Sequence, residues 1–137
     1  MREIIFRGRS LNGEWIEGNC IQEPSGRTYI QDKCIIDGVQ KTLLIDKNTL
    51  GQFTGFRDKN GKKIFEGDIL ECRYPDEPFK EVSVRYEKVI WKNGWYQQDG
   101  KAIPEPLEQW QLDEHAIVFS NIWDCKRIPK GRVEEYA

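Results

Sequence analysis

Apolar and polar residues alternate along most of this chain with the two-residue period of half-buried strands. The clearest case is Val82, Val84 and Tyr86 interleaved with Ser83, Arg85 and Glu87 in a segment that runs on to Trp91. Turn dipeptides punctuate the strands: Asn12-Gly13, Asp37-Gly38, Asn60-Gly61, Asn93-Gly94 and Asp99-Gly100. A two-residue hairpin loop of type I′ needs positive φ at both central positions, which Asn or Asp followed by Gly tolerates best. These pairs predict hairpins between Glu3–Arg9 and Glu14–Cys20, between Thr28–Ile36 and Val39–Ile45, and between Gln52–Arg57 and Lys63–Phe65. Gln31-Asp32-Lys33 interrupts the apolar pattern of the second, and Gly67-Asp68 turns the chain into a strand from Ile69 to Tyr74. Trp95 and Tyr96 follow the Asn93-Gly94 turn.

Helical spacing is confined to Leu107, Trp110 and Gln111, after Pro104 and Pro106 have broken any strand. Ala116–Trp123 reads as the last strand, and residues 130–137, with Gly131 and a charged run from Arg132 to Glu135, read as a frayed tail. The expectation is a mainly β fold, a small β-barrel-like or antiparallel sheet domain built from hairpins with at most one short helix. Residues 1–137 form a single domain in this reading, and the Pro- and acid-rich loop near 75–78 is the best internal boundary, too short for an independent linker.

Length and composition support a folded core. The 137 residues include five Trp, five Tyr and six Phe, which offset a modest aliphatic content and argue against disorder. The formal charge is −2, so no global positive field draws the chain to nucleic acid or anionic lipid. Ile4-Ile5-Phe6 is far too short for a signal-peptide core or a membrane span, so a cytoplasmic location is expected, with no membrane partner. Cys20, Cys34, Cys72 and Cys125 form no Cys-x-x-Cys pair and read as buried or half-buried thiols, and no metal or cofactor is expected.

Catalytic signals are weak. His115 is the one histidine and stands in no nucleophile or metal-ligand spacing, so it reads as an exposed or capping residue rather than a base. Glu66 and Asp68 offer a carboxylate pair that a divalent ion would need for hydrolysis, yet Glu66-Gly67-Asp68 has the composition of a turn in which Asp bonds its own backbone. Gly51-Gln52-Phe53-Thr54-Gly55 lacks the Gly-Lys-Ser/Thr of a phosphate loop and reads as a strand with a bulge or close backbone contact. The expectation is a protein that is not an enzyme.

For nucleic acid, Lys88, Trp91, Lys92, Trp95 and Tyr96 combine cations with aromatics on which bases would stack, with Lys59, Lys62 and Lys63 as a second basic group. Glu66, Asp68, Glu87 and Asp99 stand near them in sequence and weaken the field. The aromatics also suit a protein interface, and exposed strand edges suit homo-oligomerisation.

The run Asn48-Thr49-Leu50-Gly51-Gln52-Phe53-Thr54-Gly55-Phe56-Arg57-Asp58-Lys59-Asn60-Gly61-Lys62-Lys63-Ile64-Phe65-Glu66-Gly67-Asp68-Ile69-Leu70 closely resembles the signature of the YopX protein family. The opening Arg2–Gly8, the segment Gly13–Gly18 and the closing Ser120-Asn121-Ile122-Trp123 extend the resemblance over nearly the whole chain. Leu50, Phe56 and Ser120 stand where the family more often has Val, Leu and Gly. The resemblance implies a small mainly β protein of temperate phages or prophages, with no assigned catalytic residues.

The signature residues carry two readings. In one, Gly51 and Gly55 permit close packing, Asp58-Lys59-Asn60-Gly61 makes the turn and Gly67-Asp68 starts the next strand. In the other, the same hairpin presents Asp58, Lys59, Asn60 and Lys62 to a protein of phage or host. Together with what the resemblance implies, the expectation is an accessory phage or prophage protein that acts by binding, as a protein-interaction module or homo-oligomer, with a small β-barrel binding nucleic acid in phage replication or transcription control as the alternative.

Overall fold

A computed structural model describes residues 3–92, 95–99 and 105–135, Trp95 by its backbone alone. Contacts within the chain gather in two units, 1–53 and 54–137. The predicted Asn93-Gly94 turn and Gly100 of the Asp99-Gly100 turn lie outside the described residues, as does Pro104.

The first unit is built from β1 (Phe6–Ser10), β2 (Trp15–Gln22), β3 (Thr28–Ile36) and the part of β4 (Val39–Arg57) up to Phe53. β1 pairs with both β2 and β4, so the strand order β1-β2-β3-β4 returns to its start in an uneven ring. Ile16, Ile30 and Ile45 form its buried core, with Phe6, Leu43 and Leu50 packed against them. Two glycines let strands approach where a side chain has no room. A β-carbon on Gly8 would stand 2.3 Å from Ile45 Cδ1, and one on Gly18 would stand 1.9 Å from the Gln31 carbonyl oxygen. Gly18 is also where β2 exchanges partners, pairing with β1 through Gly18 and with β3 from Asn19.

The ring is uneven because β4 bulges against β1. Arg7 faces Gly51 but Arg9 faces Asp46, so extra β4 residues loop out between them. Thr49, fully buried, pins the loop: its hydroxyl donates to the Asp46 carbonyl at 2.6 Å and accepts the Arg9 amide at 2.9 Å. The Gln31-Asp32-Lys33 interruption is likewise a register shift, between Gln31 and Ile35. Beyond it, residues 33–42 are all exposed and form an arm around the Asp37-Gly38 turn, whose φ values of 52° and 74° are the left-handed pair the dipeptide predicts.

The second unit holds the end of β4, β5 (Lys63–Phe65), β6 (Asp68–Asp76), β7 (Glu81–Lys92), β8 (Trp95–Gln98), α1 (Gln109–His115), β9 (Ala116–Asn121) and β10 (Arg132–Glu135). A sheet of order β10-β7-β6-β9 carries β8 on β7. β10 pairs with Glu81–Val84 and β8 with Val89–Lys92. Leu70, Cys72, Val89 and Tyr96 from the sheet, Ile64 from β5, and Leu107, Leu112 and Ala116 around α1 make the core. The fold is mainly β with antiparallel pairing and one short helix.

Three expectations are corrected. Arg132–Glu135 is not part of a frayed tail, because it pairs residue by residue with β7. Residues 75–78 do not interrupt the structure: Pro75 faces Val82 within the β6–β7 ladder, and a 3-10 turn at Glu77–Phe79 closes that hairpin. The helix begins later than the Leu107-Trp110-Gln111 spacing implied, burying Leu112 and leaving Trp110 exposed.

Candidate functional site

The β4–β5 hairpin is where the signature residues converge. Asp58 is buried, 3% exposed, and its carboxylate accepts backbone amides on both sides. Oδ1 accepts from Asn60 and Lys62, each at 2.9 Å, and Oδ2 accepts from Val118 of β9 at 2.9 Å. The Lys59 amide donates to the Ala116 carbonyl at 2.9 Å, and the Gly61 amide to the Asp58 carbonyl at 2.9 Å. Gly61 takes φ +83°, which the turn requires. The tip is thus wound on one carboxylate and tied to β9 from two residues.

Asp58 is therefore not displayed to a partner, contrary to one reading of the sequence, because its oxygens are spent on the turn itself. Lys59, Asn60 and Lys62 are exposed. At the base of the tip, Gln109 of α1 donates to the Arg57 carbonyl at 2.6 Å and accepts the Arg57 amide at 3.0 Å. The Arg57 guanidinium donates to the Gly61 carbonyl at 3.1 Å.

Asp68 and Glu66 follow the turn reading. Asp68 Oδ2 accepts the Phe65 amide at 2.8 Å in the buried Phe65–Asp68 turn. Glu66 is half-buried, and burial pushes its carboxyl above the ordinary value. His115 Nδ1 bonds the Arg73 carbonyl at 2.8 Å, and its ring lies 4.8 Å from that of Tyr74. Among the described residues no group of three or more His, Cys, Asp and Glu is placed to hold a metal ion. Cys72 is buried and Cys20 and Cys125 are half-buried as expected, but Cys34 is exposed on the β3–β4 arm.

The five residues put forward for nucleic acid do not form one surface. Alternation along β7 places Lys88 and Lys92 on one face of the strand and Trp91 on the other. Tyr96, which faces Trp91 across the β7–β8 ladder, is buried, with its ring 4.7 Å from the Trp91 ring in an edge arrangement. Lys88 forms an ion pair with Asp99 at 3.4 Å. The side chain of Trp95 lies outside what is described. A base stacked on Trp91 would find these two lysines behind the sheet.

A polar ring on β6, β7 and β10 was missed by the sequence reading. Arg73 donates to Glu71 at 3.0 Å and to Glu134 at 2.9 Å; Arg132 donates to Glu134 and to Tyr86 Oη, both at 2.8 Å; Tyr86 donates to Glu71 at 2.8 Å. The bonds close on themselves. The two guanidiniums hold the Glu134 carboxyl below the usual range. Two-residue alternation in Glu71-Cys72-Arg73 is the available signal, but Tyr86 stands on another strand and Arg132 and Glu134 stand in the segment that reads as a tail.

The other surface feature is apolar. Ile35, Ile36 and Val39 at the end of the β3–β4 arm are 64%, 71% and 66% exposed.

The family model described as YopX protein matches residues 6–124. The chain belongs to the YopX protein family. The crystal structure of protein EF1440 from Enterococcus faecalis superposes on this YopX chain with a TM-score of 0.58 at 19% identity, covering 89% of this chain and 94% of that one, so the two share a fold. The replicase polyprotein 1ab of bat coronavirus 512/2005 is 29% identical over 112 residues, which are 80% of this chain. The match spans 2% of that polyprotein's length. No helix among the described residues is long and apolar enough to cross a membrane.

Proposed function

We propose that this YopX protein acts by binding a protein partner at the β4–β5 tip, not by catalysis. One observation carries the reading: Asp58 locks the tip with three backbone hydrogen bonds while Lys59, Asn60 and Lys62 stand exposed on it. A loop ordered before contact loses less conformational freedom on binding, and loop tips on a rigid sheet are frequent contact points. Two of the groups that the sequence offers for chemistry, Asp68 and His115, are engaged with the backbone. The protein works in this reading inside the bacterial host of a temperate phage or prophage. It works there as a homo-oligomer, a role for which the apolar arm at Ile35, Ile36 and Val39 is suited.

The test is a pull-down with the tagged full-length protein and its Lys59→Ser/Lys62→Ser variant, with and without nuclease, after both have been shown to melt alike. A defined protein captured by the parent with nuclease present, and lost from the variant, is the expected result. Equal capture by both overturns the tip as the contact. Captured material that is nucleic acid, and is removed by nuclease, overturns the protein partner in favour of the nucleic-acid alternative.

A further inference from the structure

We infer that the partner surface met by this tip is acidic protein, recognised through Lys59 and Lys62. The inference rests on the proposed reading of the tip and adds the chemistry of what it meets. Residues 57–63 hold Arg57, Lys59, Lys62 and Lys63 against the single carboxylate of Asp58, a formal +3 in a chain of −2, so the remaining residues carry −5. The fold sharpens this contrast. Asp58 is turned inward onto backbone amides, so the negative charge of the tip is the one that does not face out. The Arg57 guanidinium, though exposed, is bent back onto the Gly61 carbonyl and Lys63 is half-buried, so Lys59 and Lys62 are the exposed cations at the tip itself. Asp113 is held at the base of the tip by Gln109 Nε2 at 2.7 Å, on the Arg57 side.

The alternative polyanion is nucleic acid, and the charge distribution disfavours it. A duplex carries one charge per roughly 1.7 Å of axis, so a contact by two lysines draws many uncompensated phosphates toward a chain that is otherwise negative. A bounded acidic patch on a protein matches the tip without that cost. Among the described side chains of β7 and β8 there is no stacking groove, since Lys88 and Lys92 are on the face opposite Trp91 and Tyr96 is buried.

The experiment titrates the full-length protein into two labelled probes by fluorescence anisotropy: a Glu/Asp-rich peptide of about a dozen residues, and a DNA duplex of about a dozen base pairs, at low and physiological salt. The peptide is expected to bind more tightly than the duplex and to weaken with salt. Lys59→Glu/Lys62→Glu should weaken it roughly tenfold, and Lys59→Arg/Lys62→Arg should leave it within about twofold. Reversing two exposed lysines elsewhere, Lys47→Glu/Lys126→Glu, changes net charge equally and should shift binding less than about twofold. Tighter binding to the duplex, or equal loss from either pair of reversals, overturns the inference. If the peptide does not bind while the pull-down partner is still lost from Lys59→Ser/Lys62→Ser, the tip stands as the contact and the acidic partner falls. If capture also survives that substitution, the reading of the tip falls with it.

Discussion

The indole of Trp123 occupies the space that a side chain on Gly67 would need. A β-carbon at Gly67 would lie 2.6 Å from both Cη2 and Cζ3 of that ring. A backbone bond holds the two segments together, the Ile122 amide donating to the Gly67 carbonyl at 2.9 Å, and the Gly67 amide donates to the Val89 carbonyl of β7 at 2.9 Å. Asp68 and Asn121 face each other at the adjoining end of the β6–β9 ladder. The Glu66-Gly67-Asp68 and Ser120-Asn121-Ile122-Trp123 motifs, far apart in sequence, therefore meet at one turn.

Gly67→Ala should be among the costliest single-methyl additions in the protein. The residue takes φ +89°, which costs a non-glycine about 1–2 kcal/mol, and the ring contact adds about 1–3 kcal/mol of overpacking. Urea unfolding should show a combined loss of about 3 kcal/mol. Trp123→Leu in the same chain should reduce the cost of Gly67→Ala, because only the steric share depends on the ring; a double-mutant cycle with no coupling would count against the contact.

Asp58→Ala removes the acceptor for three amides at once. The Val118 amide belongs to β9, so its loss reaches beyond the turn. Unmet buried amides cost about 1–3 kcal/mol each, less where water reaches the exposed tip, so a loss of about 2–4 kcal/mol is expected. Asp58→Asn keeps one acceptor oxygen and should lose less. Equal losses for the two variants would show that charge, not the count of acceptors, holds the turn.

How far the fold was legible follows from where its signals are local. Asp37-Gly38 and Asn60-Gly61 declared their hairpins because the left-handed backbone they supply is a property of two neighbouring residues. The break at Gln31-Asp32-Lys33 was visible, and became a bulge, because polar residues entered an apolar alternation. The ring closure of β1 on β4 was not legible: it depends on Thr49 reaching back to Arg9, a pairing forty positions apart. β10 was hidden for the same reason, since Arg132-Val133-Glu134-Glu135 gains its partners only across the sheet on β7 and β6.

The sequence located the β4–β5 tip in the chain but not the orientation of its side chains. The signature pointed to the β4–β5 tip, but composition alone does not say that Asp58 turns inward while its neighbours turn out. The decisive bond comes from Val118, sixty residues away. The β7–β8 cluster failed differently. Lys88, Trp91 and Lys92 are close in sequence, yet two-residue alternation puts an odd and an even position on opposite faces.

Tyr86→Phe tests the polar ring of β6, β7 and β10. It removes one donor and one acceptor, opening the circuit between Glu71 and Arg132. Arg73 and Arg132 are exposed while Glu71, Tyr86 and Glu134 are half-buried, so the global loss should be about 1 kcal/mol. The local effect is sharper: amide exchange at Arg132–Glu135 should quicken while β6 and β9 keep their protection. Glu134 belongs to the same circuit, and its lowered carboxyl contributes stability above the unfolded value that is lost as pH falls through the folded one. Protection of β10 should accordingly decline in acid, and unchanged exchange in Tyr86→Phe would show that the backbone ladder alone holds the strand.

Glu66 gives the opposite sign of pH dependence. Burial raises its carboxyl above the ordinary value of 4.5, so the fold prefers the protonated form. The stability associated with that preference is fully present below the unfolded value and is lost as pH rises through the folded one. Glu66→Gln keeps the shape and removes the charge. The variant should therefore melt higher than the parent at about pH 7 and alike at about pH 3, where the parent's carboxyl is already neutral. A gain of the same size at both pH values would assign the effect to the amide's own bonding and not to release of a half-buried charge.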